Sequence, residues 1–249
     1  MSIDLVNVHR AFGDKKVLCG LTLTVPEGST VSVIGGSGSG KSVMLKHIVG
    51  LLRPDEGDVW VDGENVSRLD QESVYRLRRN VGYVFQFAAL FDSMSVAGNV
   101  AMGLRRMGEM TEAAIEERVR ECLRLVDLDD FGGAYPAELS GGQKKRAGLA
   151  RAIATRPKYI LYDEPTTGLD PVTAAVIDQL IMRMSDELGV TGLVITHDMR
   201  SAFRVSDRMA LLYEGRIRFE GTPEELRDTN DAVVRGFIEG RPDLVESVA

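Results

Sequence analysis

Apolar residues recur through 3–8, fall at every second position over 17–25, and continue in a further run at 30–34. Turns at Gly13-Asp14 and Pro26-Glu27-Gly28 separate the three segments. A period of two predicts strands, because successive side chains on an extended chain point to opposite faces. From Lys41 the spacing becomes helical: Met44, Leu45, Ile48, Leu51 and Leu52 fall on one side, and Pro54 and Gly57 stop the run. Strand pattern returns at residues 58–61, closed by Asp62-Gly63, and at 81–85.

The pattern then changes. Residues 96–106, 112–126 and 143–155 all suit helices, with little strand signal between them, which predicts a helical insertion. Afterwards strand and helix alternate: 159–162, 172–188, 192–196, 208–213, a hairpin at Glu214-Gly215, and 216–219. Such alternation predicts an α/β fold with a largely parallel sheet flanked by helices. Thr222-Pro223-Glu224-Glu225 offers an N-cap, a proline at the first helical position and a capping-box glutamate, so a short helix is expected there. The chain contains no internal repeat and no low-complexity segment.

Composition narrows the function classes without naming one. Of 249 residues, 44% are hydrophobic and 27% charged, which excludes disorder and collagen-like repeats. The net charge of −7 argues against a protein that neutralises many nucleic-acid phosphates, so no nucleic-acid partner is expected. No stretch approaches the roughly 20 apolar residues that span a bilayer, and the first ten residues carry no apolar signal core. A cytosolic protein is the expectation. Cys19 and Cys122 stand in no metal-like spacing. Cys19 continues the alternation Val17, Leu21, Leu23, Val25, and Cys122 shares a helical face with Ile115, Val119 and Val126, so both are expected to be small buried hydrophobes.

Two segments carry chemistry. Gly35-Gly36-Ser37-Gly38-Ser39-Gly40-Lys41-Ser42 fits G-x-x-x-x-G-K-[ST] between an apolar strand and an amphipathic helix, the context of a P-loop. Glycines let the backbone wrap a phosphate and turn its amides, with the helix N-terminus, toward the anion. Lys41 would reach the β- and γ-phosphates, and the Ser42 hydroxyl would ligate Mg²⁺. The run 159–164 is an apolar strand ending in two adjacent carboxylates. Beside a P-loop, Asp163 is expected to hold the metal. Glu164, pointing the other way on an extended chain, is expected to act as general base or to position the attacking water.

Leu139-Ser140-Gly141-Gly142-Gln143, lying between the P-loop and Asp163-Glu164, resembles the signature motif of ABC-type ATPases. Read physically, it is a second phosphate cradle in which Ser140 caps a helix whose first amides, at Gly141 and Gly142, can donate to an anion. The resemblance covers nearly the whole chain. It implies a P-loop NTPase fold with a RecA-like core of mainly parallel sheet, an antiparallel β subdomain and an inserted helical subdomain. Residues 1–249 would form a single ATPase domain, with the core and β subdomain at 1–86 and 157–249 and the helical subdomain at 87–156. It also implies that Gln86 touches Mg²⁺ and the attacking water, that His197 contacts the γ-phosphate, and that Phe12 stacks on adenine. Asp170, in Gly168-Leu169-Asp170, would lie at a dimer seam. Three positions depart from the family pattern: Phe12 replaces the commoner tyrosine, Val43 stands where a second hydroxyl is usual and leaves one α-phosphate contact in doubt, and Gly168, often alanine, loosens its loop if anything. None touches the Mg²⁺ ligands or the base. His9 and His47 read as structural.

One P-loop and one signature per chain imply a homodimer with two ATPs sandwiched head to tail, Ser140, Gly141, Gly142 and Gln143 reaching the partner's nucleotide. The resemblance further implies an integral-membrane permease partner, contacted through residues 87–96, and a location on the cytoplasmic face of the inner (cell) membrane. The phrase from Phe85-Gln86 through Asp92-Ser93-Met94 to Asn99-Val100, with Phe237-Ile238-Glu239-Gly240, is most similar to the ATPase subunits of Mla/Mce-type phospholipid transporters. That implies a lipid-binding Mce-type component. The alternatives are an importer for another small molecule, a non-transport ATPase such as a cell-division regulator, and a P-loop module that binds ATP without turnover.

Overall fold

The computed structural model describes residues 2–241 and 243. Four strands form an antiparallel sheet in the order β2 (Lys15–Pro26), β1 (Ser2–Phe12), β4 (Glu56–Val61), β5 (Glu64–Asn65). Six form a second sheet in the order β10 (Arg216–Gly221), β9 (Arg208–Tyr213), β3 (Thr30–Ile34), β8 (Thr191–Thr196), β7 (Tyr159–Asp163), β6 (Val81–Val84). All neighbours in this sheet run parallel except the β9–β10 hairpin. The helices are α1 (Lys41–Ile48), α2 (Gln71–Arg79), α3 (Val96–Met107), α4 (Glu112–Leu125), α5 (Gly141–Ile153), α6 (Pro171–Leu188), α7 (Met199–Val205), α8 (Pro223–Arg227) and α9 (Ala232–Glu239).

The parallel strands are buried on both faces, and their two faces feed different cores. On β7, Tyr159 and Leu161 pack with α1 and the antiparallel sheet, whereas Ile160 and Tyr162 pack with α3 to α6. On β8, Leu193 and Ile195 join the first group and Val194 the second. This is the strand period of two at work, and it explains why such strands read as near-continuous apolar runs. The helical insertion thus shares one core with the sheet, with Val84 of β6 packed among α3, α4 and α5. A third cluster seats α7, α8 and α9 on Ile34, Met209 and Leu211.

Because β3, β8, β7 and β6 are adjacent and parallel, their carboxyl ends lie along one edge of the sheet. That edge is where ligands bind in open α/β sheets. Here it receives Gly35 after β3, Gln86 after β6, Asp163-Glu164 at the end of β7 and His197 after β8.

Several local expectations need correction. Gly20 adopts φ +94° and is skipped where the pairing of β1 with β2 shifts register between Val8 and His9, which face Leu21 and Cys19. This irregularity resets the alternation: Leu18 rather than Cys19 is buried before Leu21, and Cys19 is only half-buried. Cys122 is fully buried, and burial pushes its thiol up to about 11. The helix expected at 143–155 starts two residues earlier at Gly141, because Ser140 forms a complete capping box with Gln143. Helices α2, α7 and α9 have no counterpart in the apolar pattern. Each is started by an aspartate N-cap, at Asp70, Asp198 and Asp231. No described helix is long and apolar enough to cross a membrane.

Candidate active site

At the sheet edge lies a cavity of about 710 Å³, lined by Phe12, Lys15, Val17, Ser37, Gly38, Gly40, Lys41, Ser42, Val43, Gln86, Glu164 and His197. The loop 35–40 leaves β3 and enters α1 through Gly40, whose φ of +107° is open only to glycine at low cost. Gly40 caps α1 without a side-chain bond, so the first-turn amides of the helix have no side-chain acceptor from the cap. Ser39 Oγ is buried and has no hydrogen-bond partner among the described residues. A loop of open amides with an orphaned hydroxyl at a helix N-terminus suits an anion. Gly35, Gly36 and Ser39 build the loop without lining the cavity wall.

Lys41 is buried, and its Nζ donates to the carbonyl oxygens of Gly35 (2.8 Å) and Gly36 (2.9 Å). Burial pulls its pKa down, while the charges of Glu164 and Asp163 oppose that shift. Ser42 Oγ donates to Asp163 Oδ1 at 3.1 Å, and Tyr83 Oη donates to Asp163 Oδ2 at 3.1 Å. Burial, with the Asp163 charge, pushes the Tyr83 hydroxyl above its ordinary range, so it remains a donor.

Glu164 is not on the extended strand. Its φ is +51°, in the left-handed region, so it leaves the line of β7 by a backbone turn and not by strand alternation. Its amide donates to Ile195 O at 2.9 Å, which ties the turn to β8. Its side chain, 12% exposed, accepts from Thr167 Oγ1 (2.9 Å) and pairs with His197 Nδ1 (2.8 Å), both through Oε2. Oε1 has no protein donor among the described residues, so the carboxylate keeps one oxygen for a water. The arrangement can take a proton from a nucleophile held beside it.

Phe12 is half-exposed in the cavity wall, and the Arg10 guanidinium lies 4.8 Å from its ring centroid. Arg10 is itself fixed by Asp55 Oδ1 at 2.6 Å, and Asp55 Oδ2 accepts the Ala11 amide at 2.7 Å. The ring is thus supported and offers a surface suited to a planar base.

Two expected groups lie apart from the cavity wall. Ser140, Gly141, Gly142 and Gln143 form the start of α5, Ser140 N donating to Gln143 Oε1 at 2.8 Å. Asp170 caps α6 by accepting from Val172 N and Thr173 N, each at 3.0 Å. Gly168 holds φ +81°, so glycine relieves strain in this turn where a looser loop was expected. Four supporting residues went unread in the sequence: Arg10, Tyr83, Thr167 and Lys145. Lys145 donates to the carbonyls of Gln86 and Glu164.

Residues 18–167 match the ABC transporter family profile. The chain belongs to the ABC transporter family. A probable ribonucleotide transport ATP-binding protein, mkl, from Mycobacterium bovis is 39% identical over 241 residues, spanning 97% of this chain and 67% of that protein. The methionine import ATP-binding protein MetN of Thermobifida fusca is 42% identical over 243 residues, spanning 97% and 75%. The ATP-binding cassette MJ0796, solved as a dimer in a post-hydrolysis state bound to ADP and Pi, superposes with a TM-score of 0.81 at 35% identity, covering 89% of this chain and 98% of that one. The chain is an ATP-binding, ATP-hydrolysing subunit of an ABC transporter with the P-loop NTPase fold.

Proposed function

We propose that ATP binds with its adenine on Phe12 and its phosphates in the loop 35–43, and that Glu164 accepts the proton of the water that attacks the γ-phosphorus. The P–O bond to the β-phosphate breaks as the new one forms, and ADP and phosphate leave. Lys41 neutralises charge on the β- and γ-phosphates, Gln86 orients the water, and His197 both contacts the γ-phosphate and fixes Glu164 Oε2. Ser42 Oγ and Asp163, already joined at 3.1 Å, are hard oxygen donors suited to Mg²⁺, with Gln86 alongside. No three His, Cys, Asp or Glu side chains cluster as a metal cage among the described residues. Mg²⁺ needs none, since phosphates and waters complete its shell, and when bound it offsets phosphate charge.

The work done with this energy is lipid transport through a separate permease. The carrying observation is an apolar patch beside Gln86: Phe87 is 83% exposed, Phe91 48% and Met94 38%. Contiguous exposed apolar surface of this kind marks an interaction site. Asn99, fully buried, builds it. Its Nδ2 donates to the carbonyls of Phe91, Met94 and Ser95, and its Oδ1 accepts the Phe91 amide at 2.7 Å. A membrane partner seated here is next to the residue that orients the water. The Phe85-to-Val100 phrase supports a Mla/Mce-type permease with a lipid-binding component, and the single P-loop and single signature support a homodimer of this chain on the cytoplasmic face of the membrane.

Purification of the tagged chain from a membrane extract is expected to bring down a polytopic permease and a lipid-binding protein. Phe87→Asp is expected to reduce the recovered permease roughly tenfold or more, as for loss of an aromatic anchor. A bitopic division protein or ribosomes in place of the permease would sink the transport reading.

A further inference from the structure

We infer that Lys145 is a positioning residue for hydrolysis, holding the backbones of Gln86 and Glu164 from the helix that begins at the signature. The inference rests on the roles given above to those two residues.

Lys145 is only 6% exposed, and its Nζ donates both to Gln86 O and, at 3.2 Å, to Glu164 O. An ammonium in such a place is costly, and burial indeed pulls its pKa down against the charges of Glu164 and Asp163. A methionine of similar length would fill the space without that cost. Stability alone therefore does not account for a lysine, whereas a need to fix two carbonyl oxygens does.

The same face of α5 carries Gly148 and Arg151, at threefold spacing. Arg151 donates to Ala88 O and Ala89 O, each at 2.6 Å, and its guanidinium lies 6.0 Å from the Phe85 ring centroid. A Cβ on Gly148 would stand 3.3 Å from Ala88 Cβ, so glycine lets helix and loop approach. The loop needs this support. Ala88 and Ala89 hold φ +58° and +48°, and Glu164 holds +51°, conformations that cost an L-residue energy unless its surroundings impose them. Three strained residues thus lie on, or adjoin, carbonyls gripped by two cations of one helix. Since Ser140 caps that helix, a displacement of its N-terminus by a bound nucleotide is delivered through Lys145 to both the water-orienting and the proton-accepting residue.

The test compares Lys145→Met, Lys145→Gln and Glu164→Gln in the full chain, each checked by thermal melting, with single-turnover ATP hydrolysis and equilibrium ATP binding as readouts. Lys145→Met is expected to slow hydrolysis roughly ten- to hundredfold while ATP affinity stays within about twofold, the pattern of a lost transition-state contact. Lys145→Gln keeps an amide NH2 group but loses the charge and part of the reach, so it should fall between, and it carries the test if the Met variant does not fold. An unchanged rate in either folded variant overturns the inference, as does a parallel loss of rate and affinity. Wild-type hydrolysis by Glu164→Gln would instead refute the role of Glu164, whatever the Lys145 variants do.

Discussion

Glu164→Gln should lower ATP turnover roughly a hundred- to ten-thousandfold, the contribution of a positioned general base, while leaving ATP affinity unchanged or tighter. Glutamine has the shape of glutamate, and its amide oxygen can still accept the Thr167 hydroxyl that now bonds Oε2 at 2.9 Å. The turn held by the Glu164 amide on Ile195 O involves only main chain and stays intact. What disappears is the ability to take a proton. A variant that binds but does not hydrolyse also accumulates the ATP-bound state, so any closed dimer should persist. Phosphate release under single-turnover conditions measures the rate, and a wild-type rate would remove Glu164 from the mechanism.

Lys41→Ala should abolish ATP binding at physiological concentrations, raising Kd by about a hundredfold or more, as when one member of a buried charged pair is truncated. Lys41 is the buried cation of the loop, placed near Asp163 and Glu164 and bonded to the carbonyls of Gly35 and Gly36. Those carbonyl bonds fix where its ammonium sits. Removing it leaves phosphate negative charge facing two carboxylates with nothing to offset it, so binding and not only hydrolysis is lost. Fluorescence titration with a nucleotide analogue distinguishes this from Glu164→Gln, which should retain binding.

The P-loop was legible because its residues stand at fixed spacing between a strand and a helix, and both elements form where the apolar period changes. The parallel sheet was legible for a related reason: its strands are buried on both faces and read as apolar runs. The geometry of Glu164 was not. Strand alternation turns a neighbouring side chain away, but the chain does it with a left-handed residue, held by Ile195 O and Lys145, contacts that only tertiary structure creates. Lys145 was hidden because a lysine beside Lys144 and Arg146 reads as a solvated helix face. Helix α2 was hidden because Arg76, Arg78 and Arg79 interrupt and match in number its apolar Val74, Tyr75 and Leu77, and an aspartate cap with one buried leucine suffices to form it. Cys19 was misplaced by a register shift and a bend at Gly20 that the alternation does not announce.

The proposed head-to-tail pairing around ATP rests on Ser140 to Gln143 standing apart from the cavity that holds Lys41 and Glu164, to which a second chain would bring them. Light scattering on Glu164→Gln, with and without MgATP, tests this most directly. The expected result is the mass of two chains with ATP and of one without, and no shift when Lys41→Ala is added. ATP bound to a chain that remains at the mass of one would contradict it.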